Sequence, residues 1–541
     1  MKLIPKFDNT KTITLDLLGF SVDSVLFKDK PINFVYNGTS VKISSPKVLF
    51  TTDTLEIVVF YQGRPRSDNQ WGGFYFTSTH AYNYGVGMAA EPPNFGRSWF
   101  PCIDNFTDRA TYDFFFTVKN LLKAISCGTL KSVYKNNDGT TTWHWSLRNE
   151  IPTYLASVAV SDYIEIKGKY TGLNGEIPIS IYVNQLDSYK AKKSLVNLNS
   201  YLEIFESRFG PYQWERVGYV SVPFRGGAME HATNIAISKS SLDGTLSDET
   251  LFVHELSHHW FGNLVTCKTE KDMWLNEGWA SYCEAIFIEN FYGKEAFHKY
   301  NRNNHLNVMR LTHIRDESYL PLYGIPHEHT YGSTVYDKGA DVVHTLRGYL
   351  GDSIFFSTVK KYLHDYAFKA ISTNEFRDYL TDKTGVNLHD FFEAWVFTPG
   401  FPHYSIDSMK IVKEGSVYET EIFVKQKLKG TTKFRNSNKV EVTFMNHEMS
   451  RQTEIISFDG EFGNSSFVLP FKPEIAMLDL NAKIADATTD SYLIINSPGD
   501  YSFEASYFEI VVPEPINSMF IRAVHNWVAV DNKVFLKTYL I

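Results

Sequence analysis

His254 and His258 stand four residues apart with Glu255 between them, in the run ETLFVHELSHHWFGNL, whose apolar residues recur at helical spacing. Side chains four apart on a helix lie on one face about a turn apart, so both imidazoles reach a single ion. Glu255 is turned roughly 100° round the helix from His254, which removes it from the ligand position and leaves it beside a water on that ion. Ligand and base are thereby separate residues. A catalytic zinc takes three protein ligands and keeps one position open, so a third donor is required. Glu277 comes nineteen residues after His258, in Asp272-Met273-Trp274-Leu275-Asn276-Glu277-Gly278, on a second helical segment able to run antiparallel to the first. The expected centre is one Zn2+ on His254, His258 and Glu277, with Glu255 as the base. Glu284, about two turns beyond Glu277, shares its face and is placed to hydrogen-bond the outer nitrogen of a ligand histidine; Asp272 is the second candidate for that task. The plainer reading of the histidine pair, polar packing on a helix, loses ground to the helical context and to the spacing of the glutamate. His259 points away from His258 and reads as a surface or packing residue.

A centre of this kind serves an endopeptidase as well as an exopeptidase, so the substrate has to be argued from other residues. Gly226-Gly227-Ala228-Met229-Glu230-His231 follows the strand-like VGYVSVP. The glycines permit close backbone approach, and the extended run after them can pair with a substrate main chain as an added strand. Glu230 then stands beside the substrate's first residue.

The elements that must position these groups change along the chain. From Thr12 to about Asp162, short alternating segments such as TITLDL and TLEIVVFY are separated by turn clusters like NNDG, the pattern of an antiparallel sandwich. Between about Ser188 and Phe397 the period becomes helical, in SLVNLNSYLEIFESRF, MWLNEGWASYCEAIFIENFYG and ADVVHTLRGYL. The helical region closes at TPGFP, beyond which VYETEIFVKQ and NKVEVTF alternate again. The expected organisation is multidomain α+β: an antiparallel β domain over 1–165, a mainly helical catalytic domain over 166–401, a β-sandwich over 402–485 and a further β-rich segment over 486–541.

Composition narrows the partners. The net charge is −8 with both signs interspersed, so the cationic face that a phosphate backbone requires is missing and nucleic acid is excluded. The four cysteines show no CxxC spacing, which argues against a thiolate metal site. No apolar run is long enough to span a membrane, and the opening MKLIPKFDNTK lacks the apolar core of a signal peptide, so the expectation is a soluble chain.

Taken together, these segments resemble the gluzincin aminopeptidases, the family of alanyl aminopeptidase and the leukotriene epoxide hydrolase. GGAMEH stands for the family's GAMEN, HELSHHW through WLNEGWASY for its zinc signature, and Tyr336-Asp337-Lys338-Gly339-Ala340 for its catalytic tyrosine segment. Glu91 with Arg97-Ser98-Trp99-Phe100-Pro101-Cys102-Ile103-Asp104 is similar to its first-domain segment. The resemblance implies a zinc aminopeptidase with a thermolysin-like catalytic domain, acting on peptides with a free amino end. It implies that Glu230 and Glu91 bind the substrate's α-ammonium group and that the Tyr336 hydroxyl donates to the developing oxyanion. Two carboxylates beyond the scissile bond would stabilise a cation and leave no room for further residues. Three positions depart from the family pattern: His231 replaces an asparagine, Ala89 replaces a glutamine, and one extra residue separates Glu91 from Arg97. A catalytically dead scaffold is the reading from another class, opposed by the joint presence of ligands, base and tyrosine. Strand-ended forms of the family are familiar among secreted bacterial relatives, a resemblance that favours a secreted or periplasmic location over the cytoplasm.

Overall fold

The structure, a computed structural model, describes residues 1–224, 226–486, 488–494, 526–530 and 533–539. It contains two compact units, Met1–Glu270 with Lys360–Ser372, and Lys271–Val359 with Thr373–Ile541.

The first unit begins with two antiparallel sheets. One joins Thr10–Asp16, Ser40–Leu49 and Phe34–Tyr36; the other orders Lys2–Leu3, Leu55–Gln62, Ser21–Phe27 and Lys30–Pro31. Alternating residues of both turn inward, and Leu15, Val25, Val41, Ile43, Leu55 and Ile57 form their common core. Gly72–Phe76 and Ala81–Gly87 follow in a four-stranded sheet with Val158–Ser161 and Lys123–Ser126.

The sheet that carries the site is five-stranded and mixed, in the order Ile164–Gly172, Gly175–Val183, Val217–Val222, Ile235–Ser238, Ala228–Met229. Val217–Val222 is buried at every position and runs parallel to both neighbours, as VGYVSV, apolar on both faces, requires. The helix Leu198–Phe209 buries Leu198, Tyr201, Leu202, Phe205 and Phe209, and stops at Gly210, whose φ of 95° suits glycine. The period of SLVNLNSYLEIFESRF suggested one helix, but the chain breaks after Ser194 and resumes at Leu198. Val196 and Asn197, both weak helix formers, fall in the gap.

In the second unit, helix Glu277–Phe291 packs on helices Lys294–Asn307 and Gly339–Leu350. Strand Phe401–Glu414, which opens the β-rich part, begins within TPGFP, directly after Gly400. It pairs with Val417–Lys429, which pairs with Phe462–Leu469, while Asn438–Met445, Arg451–Phe458 and Ile475–Leu478 form a second sheet. Tyr404, Ile422, Val424, Val442, Phe444 and Leu478 lie in the shared core. Of the β-rich segment expected over 486–541, Thr488–Ile494, Asn526–Val530 and Lys533–Tyr539 are strands, and most of the remainder lies outside the described residues. All four cysteines are buried. No helix among the described residues is long and apolar enough to cross a membrane.

Candidate metal centre

The helix that carries the histidines runs from Glu249 to Ser257, with His258 at its C-cap still in the α conformation. It is shorter than the periodicity of ETLFVHELSHHWFGNL suggested, because the chain turns through Gly262, whose φ of 120° disfavours any residue with a Cβ. The turn leaves the pair intact: His254 and His258 are one helical turn apart, with ring centroids 4.8 Å from each other. At the other end, Asn197 and Tyr201 each donate to the Glu249 carboxylate, at 2.7 and 2.9 Å, anchoring the first turn.

The ligand atoms of His254, His258 and Glu277, all buried, lie within 4.8 Å of one another. Two imidazoles and one carboxylate are a catalytic zinc donor set. The tautomer fits as well. His258 Nδ1 donates to the Phe261 carbonyl at 2.9 Å, so a neutral ring carries its lone pair on Nε2, the atom that would serve as the ligand.

A second buried group overlaps the first. Glu230, Glu255 and His258 also present ligand atoms within 4.8 Å of one another. Ala228–Met229 is the edge strand of the mixed sheet, pairing with Ile237 and Ala236. The Glu230 carbonyl accepts from Asn263 Nδ2 at 2.7 Å. Gly226 and Gly227 have φ of 82° and 96°, a conformation that glycine adopts without strain.

Of the two readings of His259, surface or packing, the structure takes packing: it is only 1% exposed, between Tyr212 and Trp214. Its Nε2 accepts the Thr233 amide at 2.9 Å, and Thr233 is held at a left-handed φ of 58°. That bond puts the ring proton on Nδ1. Burial pushes the His259 pKa down to about 3, with the charge of His258 adding to it. His231 is fully buried, and burial lowers it likewise to about 3. Neither of its ring nitrogens has a hydrogen-bond partner among the described residues.

Glu277 is the first residue of its helix, preceded by a 3-10 turn over Glu270–Leu275. Asp272 accepts the Thr373 amide at 2.7 Å, and Trp274 Nε1 donates to the Thr373 hydroxyl at 3.0 Å. Glu284 accepts from the Tyr300 hydroxyl at 2.6 Å. Tyr336 lies in a π-helical turn, Thr334–Lys338, a form that recurs at functional sites. The Asp316 carboxylate accepts the amides of Ser333 and Thr334 at 3.1 and 2.6 Å and so fixes the start of that turn. Lys338 is buried on the Leu320 carbonyl, and burial brings its pKa down to about 7.

Glu91 is exposed on the turn between strand Ala81–Gly87 and the 3-10 turn Gly96–Ser98. Arg97 pins that turn by donating to the Pro92 and Asn94 carbonyls at 3.1 and 2.8 Å, and it pairs with Asp104 at 3.2 Å. Among the described residues the Glu91 carboxylate makes no hydrogen bond, and it stands exposed on that turn.

Sequence reasoning did not find Asn263, Thr233 or Asp316. Each acts through its main chain or on a main-chain group, which leaves no pattern of side-chain types.

Residues 194–395 match the description of the peptidase family M1 domain, and residues 4–155 that of the peptidase M1 N-terminal domain. A probable aminopeptidase 1 of Saccharolobus solfataricus is 25% identical over 414 residues, spanning 72% of this chain and 50% of the relative. That of Sulfurisphaera tokodaii is 23% identical over 530 residues, 93% of this chain and 62% of the relative. The chain thus matches only part of the length of either relative. An M1 zinc metallopeptidase from Deinococcus radiodurans, solved in a form bound to a Tyr-Ser-Ala substrate, superposes with a TM-score of 0.64 at 22% identity, covering 73% of this chain and 88% of that one. Aminopeptidase A of Legionella pneumophila, solved with aspartic acid, gives a TM-score of 0.72 at 16% identity over 90% of this chain and 56% of that one. The fold of this chain is multidomain, with a β-rich start, a helical middle and a β-rich end, and most of it superposes on these structures.

Proposed function

The chain belongs to the M1 peptidase family, and from that premise we propose that it is a zinc-dependent aminopeptidase that hydrolyses the first peptide bond of peptides with a free amino end. His254, His258 and Glu277 would hold the zinc, and Glu284 and Asp272 would steady the elements that carry the ligands. Bound zinc supplies Lewis acidity, lowering the pKa of water toward about 7 and polarising a carbonyl. Glu255 takes the proton of the attacking water and later passes it to the leaving amine. The Tyr336 hydroxyl donates to the oxygen on which negative charge develops. Glu230, with Glu91 as the second candidate, binds the substrate's α-ammonium group. The substrate main chain lies along the open edge of Ala228–Met229, which Gly226 and Gly227 allow it to approach closely.

One observation carries the exopeptidase reading: the Glu230 carboxylate lies within 4.8 Å of donor atoms of both Glu255 and His258. A buried anion so close to the base favours a cation at that spot, and a peptide's own ammonium is the cation that the reaction supplies. The substrate of the Deinococcus neighbour, a tripeptide, agrees with this.

The test compares one peptide in free and N-acetylated forms, using protein loaded with one zinc per chain. The free form should be shortened from its amino end and the blocked form left intact. Internal cleavage of the blocked form would instead make the protein an endopeptidase.

A further inference from the structure

Trp71 is half-buried, on the loop before strand Gly72–Phe76, and touches the Gly226–Glu230 segment twice. Its indole Nε1 donates to the Gly226 carbonyl at 3.2 Å. Its ring edge stands 3.1 Å from where a Cβ on Gly227 would lie, so the indole fills the space that the missing side chain leaves. The indole is itself held from behind, stacked on Tyr84 at 4.9 Å and 24°, with Phe224 edge-on at 5.6 Å. Tyr84 is 1% exposed, and its hydroxyl has no hydrogen-bond partner among the described residues. Burial pushes that hydroxyl's pKa up, with the charges of Tyr82 and Glu255 adding to it.

The loop that carries Trp71 is organised by one carboxylate oxygen. Asp68 Oδ1 accepts the amides of Gln70, Trp71 and Ala89 at 2.9, 3.1 and 3.0 Å. The Trp71 carbonyl accepts the Met88 amide at 3.0 Å. Met88 and Ala89 lead directly into Glu91. One small unit therefore grips two segments far apart in sequence, the turn that carries Glu91 and the loop that carries Glu230.

We propose that Asp68 and Trp71 are positioning residues for recognition of the substrate's amino group: the bracket sets where Glu230, and the turn bearing Glu91, meet the α-ammonium. This rests on the aminopeptidase reading. Among the described residues, the glycine turn is held by the indole N–H at Gly226 and by the pairing of Ala228 and Met229 with the neighbouring strand. Losing it would displace the ammonium site and spare the metal and the base.

The experiment uses zinc-loaded full-length protein and two hydroxamates, leucine hydroxamate with an amino group and acetohydroxamate without one. Trp71→Phe keeps a ring and removes the N–H. It should raise the inhibition constant of leucine hydroxamate and the KM of leucine anilide by about tenfold, as the loss of one hydrogen bond to the loop warrants. Acetohydroxamate inhibition and kcat should stay within about twofold of wild type on the same argument. Asp68→Asn, which keeps an oxygen acceptor, should behave as wild type, and Asp68→Ala should follow Trp71→Phe; this pair decides the matter if the tryptophan variant folds poorly. Equal changes for both hydroxamates, or none, overturn the bracket while leaving the aminopeptidase reading in place. A wild-type protein inert toward leucine anilide removes both.

Discussion

Gly278 and Gly339 meet so closely that a Cβ on either would fall 2.9 or 2.8 Å from the other's Cα. Gly278 follows Glu277, and Gly339 stands three residues after Tyr336, so this contact sets the spacing between the proposed third ligand and the proposed oxyanion donor. Both positions are backbone against backbone, with no flexible side chain to yield. Gly339→Ala should therefore cost about 1–3 kcal/mol, as overpacking of a tight contact does. Thermal unfolding would measure the cost, and turnover should fall beyond what the lost stability explains. A variant with wild-type turnover would mean that the spacing of these two helices does not matter to the reaction.

Glu255→Gln separates binding of the metal from chemistry. The amide keeps the volume and cannot take a proton, while His254, His258 and Glu277 are untouched. Zinc content should stay near one per chain, and kcat on an aminoacyl anilide should fall by roughly 10²–10⁴, the usual share of a general base. Metal analysis beside steady-state kinetics gives both readings. Full activity would rule out Glu255 as the base.

The residues of the centre were legible in the sequence because their chemistry depends on types at fixed spacing. The interval between His254 and His258 demands a helix, and the helix is there. Glu277 needed only a second helix beginning near it. What positions the centre was not legible. Asn263, holding the Glu230 carbonyl, sits in the WFGN turn, where nothing distinguishes it from an ordinary turn residue. Which of its two readings His259 takes was not legible, because periodicity stops counting once the helix ends at His258 and the ring is buried by residues distant in sequence, Tyr212 and Trp214. The break between Ser194 and Leu198 was missed for a different reason: hydrophobic spacing continues across it while the backbone does not.

His259 carries its own test. Its Nε2 is an acceptor for the buried Thr233 amide, three residues beyond Glu230. His259→Leu leaves that amide unpaired and should destabilise the protein by about 1–3 kcal/mol. His259→Gln offers an acceptor oxygen and should recover part of the loss. Denaturant titration of the pair reads the difference. If the two variants were equally stable, the hydrogen bond would have no energetic role and His259 would act by volume alone.

His305 predicts a pH dependence for the second unit. Its Nδ1 stands 2.7 Å from an Asp341 carboxylate oxygen, and its Nε2 lies 2.5 Å from the Asp486 carbonyl. Both neighbours are acceptors, so both nitrogens must donate, which only the imidazolium can do. Burial alone would lower the pKa; the Asp341 charge and hydrogen bond, helped by the Asp486 carbonyl, outweigh it and raise the value to about 9. An unfolded histidine titrates near 6.5. Between these values the folded state holds a proton that the unfolded state has released, so stability falls as pH rises. The contribution is complete below about pH 6.5 and is lost through about pH 9, on the order of a few kcal/mol. Urea unfolding at pH 6, 7.5 and 9.5 should show wild type weakening across the series, and His305→Gln, which cannot hold a second proton, should change less. Parallel curves for the two proteins would mean that the ring is neutral in the folded state, and that one of its two acceptors is then left without a donor.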